Sequence, residues 1–207
     1  MPSIGRVNDS DDRMLVILDL DHTIICALEE EMKEKSKIPK SSDTYKNSLV
    51  FEEMYRIYPR PGLDRFLQQL FKKYRVAVWT AAGSSYAMFI VEHFILPKKY
   101  PSRRLEFFQW SEHCDHSEDV YDHQKKLELL VDIEPGPKVI LDDSVDVMQD
   151  QQKYVVDSRL WDVTKKNADR DDFLLTEALP EIKKKLQSQK EYVLKSQKEY
   201  VLKSKRT

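Results

Sequence analysis

At 207 residues the chain is long enough for one domain with a sizeable core and an appendage, and two compact domains would be a squeeze. Hydrophobic content of 41%, charged content of 34% and only 4 glycines describe a globular, heavily solvated, helix-rich body and exclude disorder throughout. The net charge of −2 is unevenly spread: residues 183–207 carry nine Lys/Arg against two Glu, hence +7, which leaves −9 on residues 1–182. An acidic body argues against a nucleic-acid-binding domain and leaves the basic tail as the place for weak contact with an acidic partner. No apolar run approaches the ~18–20 residues of a bilayer span, and Cys26 and Cys114 make no disulfide framework, so we expect an intracellular protein, cytoplasmic or nuclear, with no membrane contact and monomeric.

In chain order, residues 1–13 read as an exposed lead-in without the pattern of a signal or transit peptide. Residues 14–19 (MLVILD) predict a strand buried on both faces. Residues 29–46 are charged, lack a sustained apolar period and read as an excursion. Residues 48–62 (SLVFEEMYRIYPRPG) alternate at Leu49/Phe51 and Tyr55/Ile57, which predicts a hairpin within an insertion of about residues 26–60. Pro61 and Gly62 open an amphipathic helix, with Leu63, Phe66, Leu67 and Leu70 on one face. A second core strand covers residues 76–80, ending at Thr80. The turn Ala81-Ala82-Gly83 leads into a helix from Ser84. A short strand at residues 106–110 follows, then a polar stretch, then a helix through QKKLELLVD. The Glu134–Pro137 turn precedes a strand over residues 138–144 that repeats the opening pattern, and a last strand over residues 154–157 precedes a helical region from Asp171.

Alternating strands and helices imply right-handed crossovers, a parallel sheet covered by helices, and a ligand site outside the carboxyl ends of the strands. Asp19 and Asp21, one residue apart, project together and repel unless a cation sits beside them. Thr80 and the Asp142-Asp143 pair reach the same edge. This convergence predicts a metal site, and carboxylate oxygens suit Mg²⁺. With such an ion, Asp19 is placed to attack phosphorus and Asp21 to give and take protons. Thr80 can hydrogen-bond the transferring phosphoryl group, and a lysine can supply a further positive charge.

The segments DLDHT, RPGLDRFL, VWTAAGSSYA, QKKLELL and KVILDDS resemble, in order and spacing, the haloacid-dehalogenase superfamily, and within it the RNA polymerase II C-terminal-domain phosphatases and NLI-interacting-factor-like phosphatases. The resemblance runs from about Met14 to Leu186. It implies a HAD-like Rossmannoid α/β fold with a small hairpin-containing insertion after the first strand, in a domain of residues 14–187. It also implies a Mg²⁺-dependent phosphatase acting through an aspartyl-phosphate on phosphoserine or phosphothreonine of a phosphoprotein substrate. Carried over by position, the nucleophile is Asp19, the general acid/base Asp21 and the catalytic lysine Lys125, with Lys126 as its competitor. The metal ligands are Asp19, the backbone carbonyl of Asp21 and Asp143, with Asp142 as a further acidic group. Thr23, Ala81 and Tyr86 are the expected substrate-binding positions.

Three departures stand out. His22 replaces a usual Glu, Val145 a usual Pro, and Ser111 occupies the place of an Arg near the substrate phosphate, which puts phosphopeptide recognition of the usual kind in question. Two other readings stay in view: a HAD phosphatase of a small metabolite or a nucleic-acid 3′-phosphate, and a non-catalytic binding module on the same fold. The cluster His113, Cys114, His116 and His123 fits no standard zinc finger. In residues 188–207 the octad SQKEYVLK occurs twice, and its period matches neither 3.5 nor 3.6, so we expect a partly helical or disordered extension outside the domain.

Overall fold

The structure, a computed structural model, describes residues 13–32, 38–114, 125–130, 136–144 and 151–204, with side chains described as far as residue 197. Strand β1 (Leu15–Leu18) is apolar at every position because both its faces are covered. It is the middle of a five-stranded parallel sheet, together with β5 (Arg75–Trp79), β6 (Leu105–Gln109), β7 (Lys138–Asp142) and β8 (Val155–Asp157), in the order β6-β5-β1-β7-β8. Alternate side chains of β1 enter two cores. Val16 and Leu18 meet α2 (Leu63–Lys73), α3 (Ser84–Ile90) and the root of α4 (Leu179–Ser204), while Leu15 and Ile17 meet Cys114, Leu127 and Leu130. Strand order reverses at β1, with β5 on one side and β7 on the other, so the crevice at its carboxyl end is where such a sheet binds ligands.

Helix α2 buries Leu63, Phe66, Leu67 and Leu70, the face expected from their spacing. Gly62 precedes it at φ +78°, a backbone conformation that favours glycine, and a Cβ there would lie a tight 3.0 Å from Leu175 Cδ1. Among the described residues no helix is long and apolar enough to cross a membrane.

Several expectations change. The insertion after β1 begins with a strand not expected there, β2 (Ile25–Glu29), which pairs with β4 (Tyr55–Pro59). The expected hairpin is β3 (Leu49–Phe51) paired with β4, and β2 adds a third strand to give a second, antiparallel sheet of order β2-β4-β3. A one-turn helix, α1 (Asp43–Lys46), is capped by the Ser42 hydroxyl. Of the helix expected through QKKLELLVD, the described residues contain a 3₁₀ turn at Leu127–Leu130. The tail departs most: α4 runs unbroken to Ser204, through both octads. The first octad also contacts the sheet, because the Gln189 amide bonds both backbone groups of Lys138 at 3.1 and 2.9 Å.

One buried cation ties the insertion to the sheet. Arg60, 2% exposed, donates from Nη1 to the carbonyls of Thr23 (3.0 Å) and Ser158 (2.9 Å), and pairs through Nε and Nη2 with Asp171 (3.0 and 3.2 Å). Removing it strands buried carbonyls and leaves Asp171 without this pairing. Arg60→Ala should lower unfolding stability by about 3 kcal/mol, to be read from urea denaturation.

Candidate active site

Each acidic residue of interest sits where a strand runs out. Asp19 follows β1, its amide donating to Leu141 O at 3.0 Å, which locks the end of β1 to β7. Asp142 is the last residue of β7, and Asp143 follows it. Lys125 lies between the two strand ends, with Nζ 2.5 Å from Asp19 Oδ1 and 2.7 Å from Asp142 Oδ2. All three side chains are buried. The lysine backbone is held in turn by one side-chain amide: Gln151 Nε2 donates to Lys125 O at 3.2 Å, and Gln151 Oε1 accepts from Leu127 N at 2.5 Å. Asp142 Oδ1 accepts from Ser144 N at 2.9 Å, which orients its carboxylate.

Oxygens of Asp19, Asp142 and Asp143 can all lie within 4.8 Å of one another, the one such group of His, Cys, Asp or Glu among the described residues. Burial pushes Asp19 up to about 8 against the pull of Lys125, with Asp142 and Asp21 adding repulsion. Burial opposes the Lys125 charge, but the two carboxylates outweigh it and hold the ammonium above its ordinary value. Burial and then Asp142 raise Asp143. Three clustered carboxyl groups beside one ammonium lack positive charge, and their hard, closely spaced oxygens fit a divalent cation that prefers oxygen.

Asp21 is set apart from this group. Its carboxylate accepts a 2.6 Å hydrogen bond from Tyr86 Oη, and burial raises it above the usual carboxylate range despite that bond. The turn that carries it places His22 at φ +56°, in the left-handed region, and is pinned by Trp161 N donating to His22 O at 2.7 Å. His22 Nδ1 lies 3.2 Å from Trp161 O. Thr23 is fully buried, its hydroxyl 3.3 Å from Asp143 Oδ1 and 3.0 Å from Ser158 Oγ. Its side chain therefore orients Asp143 and is not an open pocket wall.

Thr80, immediately after β5, is buried, its Oγ1 accepting from Ala82 N at 3.1 Å, and Ala81 beside it is exposed. Ser111 begins a 3₁₀ turn (Ser111–His113), its amide bonded to Ala82 O at 3.0 Å. The buried Cys114 thiol lies 3.8 Å from Thr80 O, and burial raises it, which disfavours the thiolate a zinc site needs. His116, His123 and Val145 lie outside the described residues. The fold thus brings Asp19, Asp142, Asp143 and Lys125 into contact, with Asp21 at the neighbouring position. Sequence reasoning missed Gln151, Ser158 and Arg60. The Arg60-Pro61-Gly62 run was the one visible signal, and it read only as a helix start.

A model of the NLI interacting factor-like phosphatases matches residues 14–193. The chain is 31% identical over 176 residues to the CTD phosphatase-like protein 355R of invertebrate iridescent virus 3, covering 81% of this chain and 94% of that protein. To 355R of invertebrate iridescent virus 6 it is 38% identical over 150 residues, 67% of this chain and 80% of that one. Among solved structures it resembles Fcp1, an essential RNA polymerase II CTD phosphatase, with a TM-score of 0.53 and 21% identity over 88% of this chain and 54% of that one. A structure of fission yeast Fcp1 bound to beryllium fluoride gives a TM-score of 0.51 and 19% identity, over 93% of this chain and 56% of that one. The chain spans just over half the length of these two, and the likeness establishes the fold.

The raised Asp19 has a consequence for stability. The folded state binds this proton more tightly than the unfolded chain, so its contribution is fully present below about pH 4 and is lost as pH rises towards about 8. In chelator, chemical denaturation should show stability declining across that window, and Asp19→Asn should flatten the decline.

Proposed function

The chain belongs to the NLI interacting factor-like phosphatase family, and on that premise we propose that it is a Mg²⁺-dependent phosphatase acting through an aspartyl-phosphate on phosphoserine or phosphothreonine of a protein. The observation that carries this reading is the placement of Lys125 against both Asp19 and Asp142, inside a carboxylate group able to hold a metal. Fold, family and charge arrangement all favour phosphoryl transfer over a binding module, since a module needs no buried, unbalanced acidic cluster.

In the proposed reaction, Asp19 attacks phosphorus and the bond to the leaving oxygen breaks. Asp21, protonated beforehand, delivers its proton to that oxygen. A water then attacks the aspartyl-phosphate and gives its proton to the Asp21 carboxylate, the Asp19–phosphorus bond breaks, and inorganic phosphate leaves. Lys125 stabilises the charge that spreads over the phosphoryl oxygens during transfer. Burial of Asp21 favours the protonated form its first role requires. Asp19, Asp143 and the Asp21 carbonyl, with Asp142 close by, would hold Mg²⁺, which when bound would supply charge neutralisation for acids and phosphate alike. Thr80 donates to the phosphoryl group, and Ala81 lies on its approach. The insertion is too small to serve as a large closing lid, which favours a macromolecular substrate over a small metabolite. The 355R proteins and Fcp1 carry CTD-phosphatase names, consistent with that choice. A panel of phosphopeptides, phosphometabolites and 3′-phosphorylated oligonucleotides discriminates among the substrate classes, and hydrolysis confined to either of the last two would overturn the protein-substrate assignment.

Chelator should abolish hydrolysis of an aryl phosphate and added Mg²⁺ restore it. Because metal displaces the Asp19 proton, the rise in melting temperature with Mg²⁺ should be larger at pH 8 than at pH 6. Asp19→Asn should eliminate turnover. Lys125→Ala should lower kcat by about 10²–10³, whereas Lys126→Ala stays near wild type. Steady-state kinetics on both lysine variants check this, and the reverse ranking would show that Lys126 is the catalytic lysine.

A further inference from the structure

We infer that Tyr86 is a positioning residue for Asp21, through which the aromatic face of the insertion fixes the geometry of proton transfer. The inference rests on the reading of Asp21 as the general acid and base given above. Tyr86 lies in the first turn of α3, which is anchored by Ala87 N donating to Gly83 O at 3.0 Å. Its phenol donates to Asp21 Oδ1 at 2.6 Å, a short O–H···O hydrogen bond.

The ring is held where this bond needs it. Phe51 of β3 meets it edge-on at 5.6 Å and 79°, and Tyr55 at the start of β4 does so at 6.5 Å and 73°. Phe51 also packs on Phe89, one turn further along α3, at 5.2 Å, and Phe89 stacks on His93 at 4.2 Å. The two edge-on contacts to the Tyr86 ring are in the geometry aromatic pairs prefer, and they hold it in place. They come from two strands of the insertion, so a segment remote in sequence braces a phenol whose hydroxyl ends on the carboxyl group beside the nucleophile.

A consequence follows from the donor and acceptor rules. A carboxylic acid whose Oδ1 accepts from the phenol must carry its own proton on Oδ2. Tyr86 thus selects which oxygen holds the transferable proton and fixes the plane in which it is presented. A leaving oxygen of high basicity depends on this presentation, whereas a good aryl leaving group departs with little protonation. Loss of the phenol hydroxyl therefore weighs more on alkyl phosphates than on aryl phosphates. A merely structural role would lower both alike.

The test compares kcat/KM, which reports on the step that expels the leaving group, for a phosphoserine peptide and for p-nitrophenyl phosphate. Tyr86→Phe should reduce the peptide value by about tenfold or more, part of the ~10²–10⁴ that general acid catalysis supplies, and the aryl value by less than about threefold. Phe51→Leu, which keeps the hydroxyl but loosens the wall, should give the same ordering with smaller losses, and thermal melts confirm that both variants are folded. Equal losses on the two substrates, or none, overturn the positioning role. Wild-type protein inactive on both would instead refute the assignment of phosphatase activity, and this inference with it.

Discussion

The ion pair that joins Lys125 to Asp19 and Asp142 governs the architecture of the site. Two carboxylates at the ends of adjacent strands are buried to 6% and 1% exposure, and each would be costly to desolvate alone. The ammonium between them, at 2.5 and 2.7 Å, makes the arrangement tolerable without making it neutral. Asp143 adds a third acid to the same space. The residual negative charge is a standing demand for a further cation, and it adds to the upward push that burial exerts on Asp19. A centre of this kind is poor evidence for stability and good evidence for function, since an apolar trio would fold at least as well.

Much of the surrounding structure serves to hold that centre in shape. The β1–β7 pairing runs in register from Leu15↔Lys138 to Leu18↔Leu141, and it delivers Asp19 beside Asp142 with no further adjustment. Gln151 fixes the backbone at Lys125, Ser144 N orients Asp142, and the Thr23 hydroxyl joins Asp143 to Ser158. Arg60 then links the carbonyls of Thr23 and Ser158 to Asp171, so the turn after β1, the end of β8 and the approach to α4 share one guanidinium. These connections are short and buried, and they give the carboxylates little freedom to reorganise on their own.

Much of this was legible in the sequence, for a physical reason: strands β1, β5 and β7 are covered on both faces and so read as apolar runs ending in polar residues. The amphipathic stripe of α2 was equally plain. Strand β2 was not, because only Ile25 and Cys26 are buried and its partner β4 lies some thirty residues away. The octad tail was hard to read because its period places apolar residues all round a helix, and Tyr192 is 74% exposed. The supports contributed by Gln151, Ser158 and Arg60 arise from long-range hydrogen bonds between side chains and backbone, which leave no periodic trace. Thr23 shows the limit from the other side, since position alone suggested contact with substrate and burial turns its hydroxyl inward.

The claim on which the chemistry turns is that Asp19 becomes covalently bonded to phosphorus. Acid quenching during turnover of a phosphopeptide, reduction with borohydride and mass spectrometry of the peptide that contains residue 19 tests it directly. An acyl phosphate at Asp19 is reduced to homoserine, and the account predicts that product at this position alone, dependent on substrate and absent in Asp19→Asn. Steady turnover with Asp19 recovered unmodified, or the reduced residue found elsewhere, would contradict it.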